Sequence, residues 1–294
     1  MVGIVTAAIL LANGMGVVDS SSSRTFNRSE VVVEHARPSL ILEKSGAVPG
    51  EVIWVGLRFI IDEGWHLYWD GLNDTGMPVK AAWTVPPEVK MGSLMWPVPK
   101  REVYPLEIID YIYEREVIAI APITIGNDAK IGSTITIKAN LKWLVCEAQC
   151  IPGKGEVQIE IPVIEETKVE PTVHEKLFSD VRSALPTPAL VTIDNGENEQ
   201  PTTRQKSPLK GKWERNTLIL SVPNAQALVF YPDPASSTMT NAIRDGERKG
   251  SELRLEFEAD EDHPIRASGI VEVRRAEPRK AEVFSISVTQ KTAK

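Results

Sequence analysis

The sequence predicts an all-β protein: two tandem antiparallel β-sandwich domains with a short helix and linker between them. Three observations carry this. Short runs alternate apolar and polar residues, which is the mark of strands with one face in a core and one in water. Pro and Gly clusters separate the runs at regular intervals. A helical repeat occurs only once, near the middle of the chain.

In the first half the predicted strands are 31–35, 40–43, 52–60, 79–84, 117–125, 134–144 and 156–163. The stretch from Ser133 to Leu141 shows the pattern well, with Ile135, Ile137 and Ala139 on one side. Turns are expected at Pro49-Gly50, between Gly71 and Pro78, at Pro86-Pro87, between Pro97 and Pro99, and at Gly126-Asn127-Asp128. The character changes after Glu165. A helix is predicted over 173–185, with Leu177 and Val181 one turn apart. The polar segment 195–212 reads as an exposed linker. Strands resume at 217–222, 227–231, 252–258, 269–273 and 281–288. The expected division is a leader at 1–23, a first sandwich at 30–165, a helix and linker at 166–212, and a second β-domain at 213–294.

Composition narrows the function. The net charge of −7 leaves no basic excess to neutralise phosphates, so no nucleic-acid partner is expected. Residues 3–18 are nearly all apolar and are followed by a serine run, as in a signal-peptide core or an N-terminal anchor. This predicts an exported chain, although no basic residue precedes the segment; a buried core segment is the plainer reading. Ten of the twelve Trp and Tyr residues fall in the first half, so any aromatic surface belongs there.

Two cysteines, Cys146 and Cys150, are too few for a disulfide scaffold. In an extended strand they would lie about 13 Å apart, beyond disulfide reach. A bond therefore needs a turn at Glu147-Ala148-Gln149. So small a ring gains little chain-entropy stabilisation, and this spacing favours redox chemistry over stapling. A structural bond, two buried thiols and a metal site remain open, though two cysteines leave a zinc site two ligands short.

No Gly-x-Ser-x-Gly, Walker loop or dinucleotide-binding glycine pattern is present. His35, His66, His174 and His263 are scattered. The acidic run Glu258, Asp260, Glu261, Asp262 reads as a solvated loop rather than a cation site. No cofactor and no metal are expected.

Several spaced motifs resemble one family. The segment Trp143-Leu144-Val145-Cys146-Glu147-Ala148-Gln149-Cys150-Ile151-Pro152-Gly153 is similar to the cysteine motif of the periplasmic N-terminal domain of the thiol–disulfide interchange protein DsbD, including its ScsB-like forms. Upstream, Gly64-Trp65-His66-Leu67-Tyr68-Trp69 resembles that family's aromatic segment, and Asn73-Asp74-Thr75-Gly76-Met77-Pro78 its following turn. Trp83-Thr84-Val85-Pro86, Met95-Trp96-Pro97-Val98-Pro99, Tyr113-Glu114 and Val117 continue the match in order. The second domain matches weakly, mainly through Phe230-Tyr231-Pro232.

The resemblance implies an immunoglobulin-like sandwich that relays reducing equivalents in the periplasm. Cys146 and Cys150 would exchange electrons with thioredoxin-like periplasmic proteins and a membrane-embedded DsbD-like donor, as a component of a protein-disulfide reductase. The oxidoreductases served would include disulfide isomerases and cytochrome c maturation thioredoxins. These 294 residues hold neither the family's multi-span domain nor a thioredoxin-like Cys-x-x-Cys, so separate proteins are expected to supply both. Spacing does not decide which thiol attacks; position next to Ile151-Pro152 favours Cys150 over Cys146. A reduced pair in an oxidising compartment needs shielding, and His66, Tyr68 and Trp69, followed by the flexible Gly71–Gly76 loop, are the candidates for an aromatic cap. The tryptophans equally suit a sandwich core. The competing function is a non-catalytic binding module whose disulfide only shapes a docking loop.

Overall fold

In the computed structural model, residues 34–193, 208–259 and 263–290 are described. The leader 1–23, the predicted strand residues 31–33, residues 195–207 of the polar segment 195–212 and Asp260–Asp262 of the acidic run lie outside the described residues.

Ten strands form the first sandwich: β1 (Ala36–Leu42), β2 (Val52–Ile61), β3 (His66–Tyr68), β4 (Lys80–Thr84), β5 (Val89–Met91), β6 (Lys100–Tyr104), β7 (Ile108–Glu114), β8 (Glu116–Ile125), β9 (Thr134–Cys146) and β10 (Cys150–Pro162). One sheet runs β1-β2-β8-β5; the other runs β10-β9-β3-β7-β6, with β4 also pairing β9. Every pairing in both is antiparallel. Alternate residues fill the space between the sheets. Val55, Leu57 and Phe59 of β2 face Ile135, Ile137 and Ala139 of β9 across one continuous apolar core.

The predicted helix is α1 (Glu175–Ala184). It lies on the outer face of the four-stranded sheet, where Phe178 packs with Ile41, Ile118 and Ile120. Arg182 ties it down by pairing with Glu43.

The second unit contains β11 (Thr187–Pro188), β12 (Thr192–Ile193), β13 (Lys210–Glu214), β14 (Thr217–Ser221), β15 (Ala227–Pro232), α2 (Ala242–Asp245), β16 (Glu247–Lys249), β17 (Glu252–Glu256), β18 (Arg266–Arg274) and β19 (Glu282–Thr289). Its sheets are β11-β19-β18-β15-β16 and β12-β13-β14-β17. The all-β sandwich expectation thus holds. The strands begin earlier than residue 213, however, because β11 and β12 join these sheets through two-residue parallel pairings. Pairings so short leave no period to read.

The first half also holds strands the pattern did not predict. β3 and β5 have three residues each. β7 carries Asp110 in its centre, which breaks the apolar run. β10 starts at Cys150 rather than near Glu156, running through Ile151-Pro152-Gly153. Proline is tolerated there because β10 is the sheet's edge strand and needs no N–H on its open side. Gly153 pairs with Trp143, and a Cβ at Gly153 would come within 2.2 Å of that indole.

Candidate redox site

The site lies on the outer face of the six-stranded sheet. Cys146 stands opposite Cys150 in the β9–β10 ladder and opposite His66 in the β9–β3 ladder. His66 in turn faces Glu114, and Tyr68 faces Ile112. Period-2 alternation then sets Leu144 and Cys146, His66 and Tyr68, and Asp110, Ile112 and Glu114 on one side of the sheet. Leu67 and Val145 alternate inward to the core.

Cys146 and Cys150 are disulfide-bonded, with Cα atoms 4.1 Å apart. The turn at Glu147-Ala148-Gln149 closes the hairpin, and the Glu147 amide donates to the Gln149 carbonyl at 3.2 Å. The two sulfurs differ in setting. Cys146 is 2% exposed and packs with Tyr68, Ile112 and Leu144. Cys150 is exposed.

Tyr68 reaches the exposed cysteine. Its hydroxyl is 3.7 Å from Cys150 Sγ, 3.3 Å from Thr75 Oγ1 and 3.3 Å from His66 Nε2. The Thr75 hydroxyl donates to Asp110 Oδ2 at 2.5 Å, and the Thr75 amide donates to Asp110 Oδ1 at 3.0 Å. The Thr75 proton is therefore committed to the carboxylate. Tyr68 has one proton and three neighbouring acceptors: Thr75 Oγ1, a neutral His66 nitrogen, and Cys150 Sγ. A disulfide sulfur accepts poorly, but a thiolate accepts strongly. A thiolate at Cys150 would lie within reach of the Tyr68 hydroxyl as a donor.

Burial raises the Tyr68 hydroxyl above its usual pKa, only partly offset by its bond to Thr75, so it stays protonated. Burial lowers His66 below its ordinary value, against the opposing pull of Asp110, Glu114 and Glu102. The imidazole is accordingly neutral at pH 7.

The turn after β3 lies across these groups. Gly76 is flush against the Tyr68 ring, where an added Cβ would meet Cζ at 2.0 Å. Asn73 accepts from the Tyr111 amide at 2.8 Å, and Asp74 accepts from the Ile109 amide at 2.7 Å. The turn is thereby sewn along β7.

Of the three candidate cap residues, Tyr68 meets the cysteine pair directly and His66 meets it through Tyr68. Trp69 does not. It follows directly after the last residue of β3 and turns inward, where it is 5% exposed with its ring edge-on to Tyr111 at 5.9 Å. Trp65 instead stacks on His35 at 3.7 Å. Sequence reasoning placed Thr75 only as part of the Gly71–Gly76 loop and missed Asp110. Asp110 did carry a signal: a carboxylate in the apolar run Ile108-Ile109-Asp110-Tyr111-Ile112 must find partners if buried. Among the described residues no group of three metal-ligating side chains occurs, and no helix is long and apolar enough to cross a membrane.

The motif, the hairpin and the sandwich from within β1 onward lie in residues 39–162, which match the family described as thiol:disulfide interchange protein DsbD, N-terminal. The first sandwich is a DsbD-like N-terminal domain. The match runs from within β1 to the end of β10. A solved structure, the N-terminal periplasmic domain of ScsB from Proteus mirabilis, is similar over both units. It aligns with 89% of this chain and 98% of its own at a TM-score of 0.53 and 13% identity, a likeness of fold alone. The yeast GGA1 GAE domain aligns with 46% of this chain and 99% of its own at 10% identity, and its TM-score of 0.28 carries no argument. No curated protein matches this sequence.

Proposed function

We propose that this protein is an exported thiol–disulfide exchange module of the periplasm. On this reading it passes reducing equivalents between a membrane-embedded DsbD-like or thioredoxin-like donor and periplasmic oxidoreductases. The observation that carries the reading is the asymmetric pair: an exposed Cys150 bonded to a buried Cys146, beside a protonated phenol, in a DsbD-like domain.

Exchange begins when a thiolate of the donor dithiol attacks Cys150 Sγ. The Cys146–Cys150 bond breaks, and Cys146 leaves as a thiolate that takes up a proton. A mixed disulfide then joins the donor to Cys150. The donor's second thiolate attacks its own half of that bond and releases Cys150, whose thiolate is positioned to accept from Tyr68. Two electrons have moved from the donor dithiol to the pair; one proton sits on Cys146, and Cys150 takes the second when its thiolate is protonated. Delivery to an acceptor disulfide is the same sequence reversed, with Cys150 attacking and Cys146 resolving.

Mixed-disulfide trapping tests the assignment. Cys146→Ala leaves the exposed thiol and is expected to accumulate a covalent complex with a dithiol partner; Cys150→Ala leaves the buried one and is expected to trap little. The pair's potential is expected between about −270 and −120 mV. No trapped species from either variant, with a potential below about −300 mV, would instead assign the disulfide a structural role in a binding module.

A further inference from the structure

The turn between Leu72 and Gly76 touches the second unit at one end and the redox site at the other. Leu72 donates its amide to the Pro232 carbonyl of β15 at 3.1 Å. Three residues later, Thr75 meets Tyr68. Three residues span at most about 10 Å of chain, so a displacement at Leu72 has little slack to absorb it.

The residue beside Tyr68 is gripped by the same strand of the second unit. Tyr231 of β15 packs edge-on to Trp69 at 6.3 Å and tilted on Tyr111 at 5.5 Å. Tyr231, Val229 and Ile270 belong to the first sandwich's apolar core. A second contact holds β6. Arg101, with its side chain 9% exposed, donates to the Ala242 and Ile243 carbonyls of α2 at 3.2 and 2.9 Å. It also faces Glu247 at 3.5 Å. Interfaces between units of one chain are commonly small and mobile. This one is apolar, hydrogen-bonded and placed behind the cysteine-facing turn.

We propose that the second unit is a positioning element for the redox pair. By clamping Trp69 and Leu72 it fixes the turn that carries Thr75 and Gly76, and so holds the Tyr68 hydroxyl against Cys150. Trp69, Tyr231 and Arg101 are positioning residues, since none touches a sulfur. The inference rests on the exchange reading for its purpose, but not for its geometry.

The test uses the full-length chain with Tyr231→Leu and, separately, the milder Arg101→Gln. Hydrogen exchange reads the Thr75 amide, and iodoacetamide alkylation of the dithiothreitol-reduced pair is followed against pH. In Tyr231→Leu the Thr75 amide is expected to exchange at least about tenfold faster. The alkylation profile is expected to shift to higher pH, with a rate about threefold lower on its acid limb. Arg101→Gln is expected to move both readings in the same direction by about twofold or more. Tyr231→Phe keeps the ring and is expected to retain the native profile, which a loss of global stability alone would not sort in this way. The proposal is overturned if both readings stay native in Tyr231→Leu and Arg101→Gln, or if Tyr231→Phe shifts them as much as Tyr231→Leu. Neither measurement needs a protein partner. A failure here is therefore distinct from a failure of the exchange reading, which trapping decides.

Discussion

Replacing Tyr68 with phenylalanine removes one oxygen and leaves the ring in its place under Gly76. That oxygen is 3.7 Å from Cys150 Sγ. A hydrogen bond to a charged group contributes about 1.5–3 kcal/mol. The long distance and the exposure of Cys150 put this one just below that range, at about 1.4 kcal/mol, or one pKa unit on the reduced thiol. Without the donor, the alkylation profile of the reduced pair is expected to move up by about one pH unit. A more basic thiolate is also more nucleophilic, by about threefold per unit at a Brønsted slope of 0.4–0.5. On the acid limb, about tenfold fewer thiolates, each about threefold more reactive, make the variant about threefold slower. On the alkaline plateau, where both proteins are fully ionised, the variant is about threefold faster. The two curves therefore cross. The potential should follow: nearly native on the acid limb, and about 30 mV more negative once the native thiol is ionised. Stopped-flow alkylation and equilibration with glutathione buffers measure both. Superimposable profiles would refute a hydroxyl that acts on the thiolate, whatever the variant's stability.

Three other outcomes are expected. Trp69→Ala empties a buried site between Tyr111 and Tyr231 and should cost about 3–5 kcal/mol in urea unfolding; a loss below about 1 kcal/mol would contradict its core placement. Gly76→Ala drives a methyl into the Tyr68 ring, so stability should fall by about 1–3 kcal/mol and the alkylation profile should shift as in Tyr68→Phe; a native profile would show that the turn does not hold the ring. His66 has its folded-state pKa lowered by burial, so the unfolded chain binds its proton at a higher pH than the folded one. The corresponding stability is complete above about pH 6.5 and is lost as pH falls from there toward the folded value. The melting temperature of the native protein should therefore drop more steeply below pH 6.5 than that of His66→Gln, and parallel curves would refute the assignment.

Strands long enough to show their period were legible from sequence: β2, β8, β9 and most of the second unit's ladders. At the cysteines only the turn was legible, on condition that the two are bonded; the β10 arm of the hairpin from Cys150 was not. What escaped depends on tertiary partners. β3 has three residues and no period of its own; it is a strand because β9 and β7 flank it. β7 is interrupted by Asp110, whose burial is satisfied by the Thr75 amide and hydroxyl, 35 residues away. Tyr68 and Trp69 looked alike as aromatic cap residues, and only the register of β3 sends one to the sulfur and the other to the core. The inter-unit contact of Tyr231 with Trp69 had no sequence signal beyond Tyr231 being the second unit's single tyrosine.

That register is what joins the two halves of the protein to the chemistry. A one-residue slip of β3 would bring Trp69 out to Cys150 and turn Tyr68 inward, since strand side chains alternate faces. A three-residue strand has few ladder bonds to resist such a slip. The resistance comes from its ends. At the leading end, His66 is paired with both Cys146 and Glu114. At the trailing end, Trp69 is seated between Tyr111 and Tyr231, and its amide donates to the Tyr111 carbonyl at 2.7 Å. The Asn73, Asp74 and Thr75 side chains then reproduce along β7 the ladder that β3 is too short to extend. A short strand held from outside keeps a polar hydroxyl at the sulfur without a long, rigid strand beneath it. On this account the second unit helps set the register on which the Tyr68–Cys150 contact depends.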